Sequence, residues 1–332
     1  MKVGLLGAGR IGALHAGLLA SLTSIEQLLI ADADAGRAET VAAKVGATAV
    51  RSVQELIDSS DALVIAAATD AHAELVRAGI ASRLPMFCEK PLAGSLADTI
   101  AVAHEIDAAG IPFQLGFQRR FDAGYVEARR MVSSGELGTI YVARLAGHDP
   151  APPHESYIPT SGGLFRDFSV HDFDVIRWLL DSEVDEIYAV GGVLGFPVFA
   201  KYGDVDTAVA TLRMANGVLV VMTAARHDPL GYDIRAELFG SRDSISVGLG
   251  PRTPLRSVEP GVPPPVGPAW PDFLDRFRDA YAAELTGFID VARGSSPSPC
   301  TARDGVEALR IAEAATRSLH EHRPIRLADI AS

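Results

Sequence analysis

The stretch Gly7-Ala8-Gly9-Arg10-Ile11-Gly12 decides the fold, because it connects an apolar run that starts at Val3 to a helix-like segment. In such a stretch the first glycine permits a tight strand-to-helix turn, and the second lets backbone amides approach a pyrophosphate. The third allows the helix to pack close to the strand, and the N-terminus of that helix faces the negative charge. The stretch therefore predicts a dinucleotide-binding turn, formed by Gly7, Gly9 and Gly12.

An acidic residue stands at the spacing expected of a ribose ligand. A second apolar run, Leu28-Leu29-Ile30-Ala31, ends in Asp32, 20 residues after Gly12. A carboxylate at this position accepts hydrogen bonds from the ribose hydroxyls and repels a 2′-phosphate. Asp32 therefore predicts NAD rather than NADP as the cofactor, with a solvated loop aspartate as the alternative.

Composition limits the class of protein. The chain has 332 residues, of which 48% are hydrophobic and 22% charged, which is typical of globular proteins and long enough for two domains. A net charge of −12 argues against nucleic acid or an anionic membrane as a partner. We expect a cytoplasmic protein, because the chain has two cysteines, no leader before the first strand and no apolar run long enough to span a membrane.

The first third of the chain alternates strand-like and helix-like patterns. After the first two strands come apolar runs at 62–66, 86–88 and 112–116, separated by helical periodicity. This alternation is typical of βαβ units and a parallel sheet. We therefore expect an α/β fold whose N-terminal Rossmann dinucleotide-binding domain covers residues 1–118.

The remaining residues, 119–332, have a different pattern. Asn216-Gly217 separates two strand-like segments and is a strong hairpin signal, while 250–271 is rich in proline and reads as an extended loop. The segments predict a C-terminal α+β domain with a large, mostly antiparallel open sheet and helices on one face. Strands are expected at 139–147, 186–194, 206–214, 218–225 and 232–239, and helices at 122–134, 170–181, 272–293 and 303–320.

Two clusters could carry the chemistry. Cys88-Glu89-Lys90-Pro91 follows an apolar strand, and ligands collect at the carboxyl ends of strands in open α/β sheets. Lys90 therefore points to the cofactor cleft, unless it is an ordinary exposed lysine. In the second cluster Asp167 and His171 are four residues apart, so a helix would place both on one face as a general base and its carboxylate partner. A helix cap beside a buried histidine is the alternative. A metal site is disfavoured, because catalytic zinc usually takes three protein ligands.

These motifs together resemble the Gfo/Idh/MocA oxidoreductase family over nearly the whole chain. Its marks are the N-terminal GxGxxG, a Glu-Lys-Pro after the fifth strand and an Asp-x-x-x-His on a helix of the second domain. The resemblance implies an NAD-dependent dehydrogenase and a homotetramer, without a metal. It assigns the cofactor to Gly7, Gly9, Arg10, Ile11, Gly12, Asp32, Thr69, His72, Glu89 and Lys90. His72 has the alternative of an ordinary residue at a helix N-terminus.

Within the family the chain is most similar to the subgroup that oxidises inositol at C2. The similarity rests on segments such as 116–122, 148–150, 161–163 and 231–233. It implies a polyol site lined by Lys90, Arg119, Asp149, Asp167, His171 and Tyr232. Lys90, Asp167 and His171 would be catalytic.

The implied chemistry follows from charge. When hydride leaves the carbinol carbon, the hydroxyl oxygen also loses its proton and gains alkoxide character. The site therefore needs a base and a fixed, positively charged hydrogen-bond donor near that oxygen. His171 would be the base, Asp167 would fix its tautomer, and Lys90 would be the donor. Three other functions stay open: a dehydrogenase for another sugar or inositol isomer, a glycosidase that oxidises transiently with held NAD, and a cofactor sensor without turnover.

Overall fold

The computed structural model describes residues 1–330, which form two compact units. The first unit contains Met1–Asp122 and Arg278–Glu307, and the second contains Ala123–Phe277 together with the described residues from Ala308 onward. No helix among these residues is long and apolar enough to cross a membrane.

A six-stranded parallel sheet forms the centre of the first unit, with the strand order β3-β2-β1-β4-β5-β6. This is the order of the Rossmann fold, and it confirms the predicted fold class. The two central strands Ala62–Ile65 and Met86–Glu89 are buried throughout because both of their faces are covered. The strands are β1 (Lys2–Leu6), β2 (Gln27–Ala31), β3 (Thr48–Ala49), β4 (Ala62–Ile65), β5 (Met86–Glu89) and β6 (Phe113–Gly116). The helices are α1 (Arg10–Ser21), α2 (Ala35–Val45), α3 (Val53–Asp58), α4 (Thr69–Ala81) and α5 (Leu96–Ala109), followed by a 3₁₀ turn at Gln118–Phe121.

The second unit contains a seven-stranded sheet with the order β12-β11-β7-β10-β9-β8-β13. Neighbouring strands are antiparallel except for the central pair β7 and β10, which is parallel. The strands are β7 (Ile140–His148), β8 (Val184–Gly192), β9 (Thr207–Met214), β10 (Leu219–Ala225), β11 (Asp233–Gly240), β12 (Ser244–Val247) and β13 (Ile325–Arg326). The helices are α6 (Ala123–Ser133), α7 (Ile158–Ser161), α8 (Val170–Leu180), which continues a π-helical turn at Phe165–Ser169, and α9 (Phe273–Arg276).

Local sequence signals explain several of these elements. Asn216-Gly217 closes the hairpin between β9 and β10, and Gly217 has a φ of +89°, which favours glycine. Buried and exposed residues alternate along β9 and β10, so only one face of the sheet is covered in this chain. The proline-rich stretch 250–271 contains neither helix nor strand, as expected of a loop.

The helix expected at 272–293 is divided into α9 and α10 (Arg278–Ala292), and α11 (Ala302–Glu321) follows. α10 belongs to the first unit, whereas the predicted domain boundary assigned the whole of 119–332 to the second domain. The physical reason is that α10 packs on the first sheet. The side-chain amide of Gln114 donates to the carbonyl of Glu284 at 3.0 Å, and the rings of Phe87 and Phe288 lie 5.9 Å apart.

Candidate active site

The turn between β1 and α1 accepts only glycine at two of its positions. Gly7 has a φ of +104°, and a Cβ there would lie 2.5 Å from the backbone of Ala66. A Cβ at Gly12 would lie 2.1 Å from the carbonyl oxygen of Gly7. Side chains at either position would force the helix away from the strand. The two glycines therefore have the steric roles that the sequence predicts.

The space beside Gly9 is open. A Cβ at Gly9 would meet no atom of the described residues within 4 Å. Gly9 precedes the first turn of α1, and that turn contains no acidic residue that would neutralise the positive end of the helix. Arg10 is exposed and Ile11 is partly exposed in the same turn. This cradle fits the pyrophosphate of a dinucleotide.

Asp32 lies beside the same turn. Its carboxylate accepts hydrogen bonds from the backbone amides of Ala8, at 2.6 Å, and Asp34, at 2.8 Å. The guanidinium of Arg37 approaches the carboxylate to 3.4 Å. A carboxylate has about four lone-pair positions, so these contacts leave capacity for the ribose hydroxyls that the sequence assigns to Asp32. Arg37 was not identified from the sequence, and it places a positive charge beside Asp32.

Two further loops follow the neighbouring strands β4 and β5. Thr69 begins α4 after β4, and Lys90 directly follows β5. His72 is buried, and its ring nitrogens face the carbonyl oxygens of Pro91 at 2.8 Å and Ala67 at 3.0 Å. Both ring nitrogens therefore contact backbone carbonyls, and the cofactor contact that the family resemblance implies for His72 stays a prediction. The Glu89 carboxylate is likewise directed at His15, at 2.7 Å.

In the second unit the candidate residues gather around a buried arginine. Arg226 follows β10 and is 3% exposed. Its guanidinium lies 2.9 Å from the Asp167 carboxylate and 3.4 Å from the Asp149 carboxylate. The phenol of Tyr157 donates to the other oxygen of Asp167 at 2.8 Å. Asp149 and Asp167 were expected here, whereas Arg226 and Tyr157 were not.

Strand pairing explains how the arginine meets Asp149. His148 and Ala225 are partners at the carboxyl ends of the parallel strands β7 and β10. The next residue of each strand, Asp149 and Arg226, therefore emerges at the same edge of the sheet. Burial alone would lower the pKa of Arg226, but the charges of Asp167 and Asp149 outweigh it and raise this pKa above its ordinary value. The guanidinium is thus a permanent cation held by two carboxylates.

Asp167 and His171 lie on one continuous helical segment. Asp167 is in the π-helical turn, a feature often found at functional sites, and partly exposed His171 is in the first turn of α8. The carboxylate of Asp167 contacts Tyr157 and Arg226 as described above. Its pairing with His171 stays a prediction.

The other two residues expected to line a polyol site are both buried. Arg119 is 2% exposed in the 3₁₀ turn of the first unit. Tyr232 is 5% exposed before β11, with its ring 6.4 Å from that of Phe277. Their assignment to substrate stays a prediction.

One group in the described residues could hold a cation. His148, Asp228 and Asp233 offer ligand atoms within 4.8 Å of one another. However, Arg235 contacts both oxygens of Asp233, at 2.8 and 2.9 Å, and places a positive charge beside the group. These contacts indicate an ion-pair network.

A Rossmann sheet with a dinucleotide cradle and an adjacent carboxylate, together with a second α+β unit that carries a charged cluster, defines a nicotinamide-dependent oxidoreductase. Residues 1–117 match the family described as oxidoreductase family, NAD-binding Rossmann fold, and residues 125–246 match the GFO/IDH/MocA C-terminal domain. The chain belongs to the GFO/IDH/MocA oxidoreductase family, and it is an NAD-dependent dehydrogenase that acts on a CH–OH group.

Three similar proteins illustrate the relationship. The chain is 39% identical over 322 residues to the myo-inositol dehydrogenase Hyg17 of Streptomyces leeuwenhoekii, covering 96% of this chain and 97% of the relative. The crystal structure of a probable dehydrogenase from Thermotoga maritima superimposes with a TM-score of 0.93 at 35% identity, covering 100% of both chains. The scyllo-inositol dehydrogenase of Lactobacillus casei, with bound NAD(H) and scyllo-inositol, gives a TM-score of 0.89 at 25% identity and covers 99% of both chains.

Proposed function

We propose that this enzyme oxidises a secondary hydroxyl of a cyclic polyol, namely the 2-hydroxyl of myo-inositol, to give the 2-keto product. The observation that carries the proposal is the arrangement of Asp149 and Asp167 about the buried Arg226. A set of charged groups at the end of a sheet suits a ring with a hydroxyl on every carbon and suits a simple aliphatic alcohol poorly. The inositol dehydrogenases among the relatives support the same substrate class.

NAD, held by the glycine turn between β1 and α1 and by Asp32, would supply the acceptor for the hydride that leaves the carbinol carbon. In the proposed mechanism His171 accepts the proton of the reacting hydroxyl as a general base. Lys90 places a positive charge at the same oxygen and stabilises its alkoxide character in the transition state. Asp167 orients His171 and stabilises the imidazolium that forms.

Arg226 has a supporting role in this proposal. The Asp167 carboxylate receives a hydrogen bond from Tyr157 and an ion pair from Arg226. Both contacts favour the ionised form of a carboxylate. Arg226 and Tyr157 therefore keep Asp167 negatively charged and fix the plane of its carboxylate. The negative charge is then in place to stabilise the imidazolium of His171.

Recognition of the polyol would depend on hydrogen bonds accepted by Asp149, donated by Arg119 and exchanged with the Tyr232 hydroxyl. Each hydroxyl that enters a buried site without a partner is penalised, so the pattern of acceptors and donors sets specificity more than apolar contact does. Removal of one bonded hydroxyl from the substrate should cost about 1–3 kcal/mol. The scyllo-inositol relative makes another inositol isomer the second candidate substrate.

A panel of polyols assayed by NADH absorbance tests the proposal. Myo-inositol should give the highest kcat/KM, glucose and xylose should be slower, and acyclic or monohydric alcohols should not react. Asp149→Ala should raise the KM for the polyol more than the KM for NAD. As a matched control, Asp185→Ala on the exposed end of β8 should change neither constant. Turnover of another sugar or of a glycoside, without any inositol oxidation, would overturn the substrate assignment.

We further propose a homotetramer in which the open face of the second sheet is covered by another subunit. Leu219, Val190 and Val209 are 54%, 43% and 39% exposed on strands β10, β8 and β9. Val190 and Val209 are cross-strand partners, and large exposed apolar patches often mark interfaces between proteins. Light scattering should give four times the mass of the chain, and a monomer would contradict the proposal.

We propose the reducing cytoplasm as its location. Cys88 and Cys300 are both buried and unbridged. Burial and the neighbouring charge of Glu89 raise the pKa of the Cys88 thiol well above its ordinary value, so the thiol has little reactivity. Cell fractionation should recover the enzyme with cytoplasmic markers.

A further inference from the structure

The segment Glu89-Lys90-Pro91 is held on both sides of Lys90 by buried histidines from two different helices. His15 of α1 contacts the side chain of Glu89, and His72 of α4 contacts the carbonyl of Pro91. Neither histidine has a role in the mechanism proposed above.

The first contact is short and enclosed. Nε2 of His15 lies 2.7 Å from Oε1 of Glu89, and the imidazole is fully buried. A carboxylate can only accept, so Nε2 carries the hydrogen. The ring packs edge-on against Phe87 and Tyr281, with centroids 5.7 and 5.6 Å away, which leaves it little freedom to turn.

The same carboxylate reaches the backbone of the lysine. Oε2 of Glu89 accepts a hydrogen bond from the Lys90 amide at 3.2 Å. On its other side the carboxylate is enclosed by β6, because a Cβ at Gly116 would lie 3.1 Å from Oε2. His15 therefore fixes Glu89, and Glu89 fixes the start of Lys90.

The second contact connects two loops of the first unit. Nδ1 of His72 lies 2.8 Å from the carbonyl oxygen of Pro91, and Nε2 lies 3.0 Å from that of Ala67. A neutral imidazole can donate to one of these acceptors, and imidazolium to both. Since Ala67 follows β4 and Pro91 follows β5, the ring ties together the two loops at the carboxyl ends of neighbouring strands.

We propose that His15 and His72 are positioning residues that hold the backbone on either side of Lys90 and thereby aim its ammonium group. They act through Glu89 and Pro91 and do not touch the substrate. The inference rests on the catalytic role proposed for Lys90. The alternative is that both histidines only stabilise the fold.

A double-mutant cycle separates these possibilities, because residues that act as one unit have non-additive effects. Lys90→Met alone should lower kcat about a hundredfold, with NAD affinity unchanged by fluorescence titration. His72→Phe alone should lower kcat at least about tenfold, since small misplacements of catalytic groups are costly. In the Lys90→Met background, His72→Phe should lower the residual rate less than twofold. His15→Phe should behave in the same way.

Two further variants guard against unfolding and general damage. His72→Gln and His15→Gln each retain a side-chain N–H donor and should recover part of the lost kcat. If the Phe variants fail to fold, the same cycle with the Gln variants decides. His104→Phe, at an exposed position of α5, is the matched control and should change nothing. An equal loss in both backgrounds would overturn this inference alone, whereas normal kcat in Lys90→Met would overturn the role of Lys90 as well.

Discussion

Nη2 of Arg226 lies 2.9 Å from Oδ2 of Asp167, and the guanidinium is almost completely buried. Arg226 directly follows strand β10, and Asp167 lies in a π-helical turn. The pair is therefore fixed by tertiary packing, and its disruption should affect both the fold and the proposed base.

Arg226→Met should lower stability by about 3–5 kcal/mol, because removal of one partner leaves the other as an uncompensated buried charge. Arg226→Lys should recover only part of this loss, since an ammonium cannot present the planar fork that meets two carboxylates. Urea unfolding measures both effects. The matched control is Arg213→Met, because Arg213 pairs with Asp185 in an exposed position, and it should cost about 0–1 kcal/mol. Equal losses at the two positions would contradict the prediction.

Cofactor choice provides a second prediction. Because Asp32 lies against the glycine turn, NAD should exceed NADP in kcat/KM by at least about tenfold, the worth of one hydrogen bond to a charged group. Asp32→Ser should narrow this difference, since Arg37 would remain to meet a 2′-phosphate. In the Asp32→Ser background, Arg37→Gln should again widen the difference in kcat/KM between NAD and NADP. Comparable use of both cofactors by the unaltered enzyme would refute the assignment.

The cofactor turn and Arg226 differ in how far the sequence could reveal them. A strand, a glycine turn and a helix are contiguous, and the steric needs of Gly7 and Gly12 arise within that short segment. Arg226 meets Asp149 only because β7 and β10 are parallel neighbours, and hydrophobic periodicity does not encode which strands pair. The available signal was the polar run that begins at Arg226, directly after the half-buried strand β10. For His15 the available signal was a polar residue on the buried face of α1.

The local sequence also did not predict which polar side chains are buried. Arg119 and His72 carry polar groups that the family resemblance directs to ligands. In the structure Arg119 is buried in a 3₁₀ turn, and His72 is occupied by two backbone carbonyls. Burial of a polar side chain depends on acceptors supplied by other loops, so the local sequence does not determine it.

Stability at low pH should depend on Asp206. Burial of this carboxylate would raise its pKa, but backbone hydrogen bonds from Leu194, Phe196 and Gly195 lower the pKa below its ordinary value. A carboxyl with a depressed folded pKa stabilises the protein above the unfolded pKa of about 3.9, and the contribution is lost as pH falls through the folded pKa. Asp206→Asn should therefore destabilise the protein at pH 7 and flatten the acid limb of its stability curve.

The measurement is urea unfolding between pH 2 and pH 7. The expected loss at pH 7 is about 1.5–3 kcal/mol, the value of hydrogen bonds to a charged group. Asp185→Asn, at an exposed position, is the control and should leave the curve almost unchanged. A parallel downward shift of the Asp206→Asn curve at every pH would show that the loss is independent of ionisation.

The last prediction concerns the proposed base. If His171 accepts the hydroxyl proton, kcat/KM for oxidation should rise with pH as an imidazole-like group loses its proton. Asp167→Asn should lower kcat, because the amide can still bond to the ring but cannot stabilise the imidazolium. It should also cost some stability, because it removes one of the two carboxylates beside the buried Arg226. Dialysis against a strong chelator should leave activity unchanged. Loss of activity restored by a divalent ion would overturn the base assignment, and His148→Ala would then show whether the cluster of His148, Asp228 and Asp233 holds that ion.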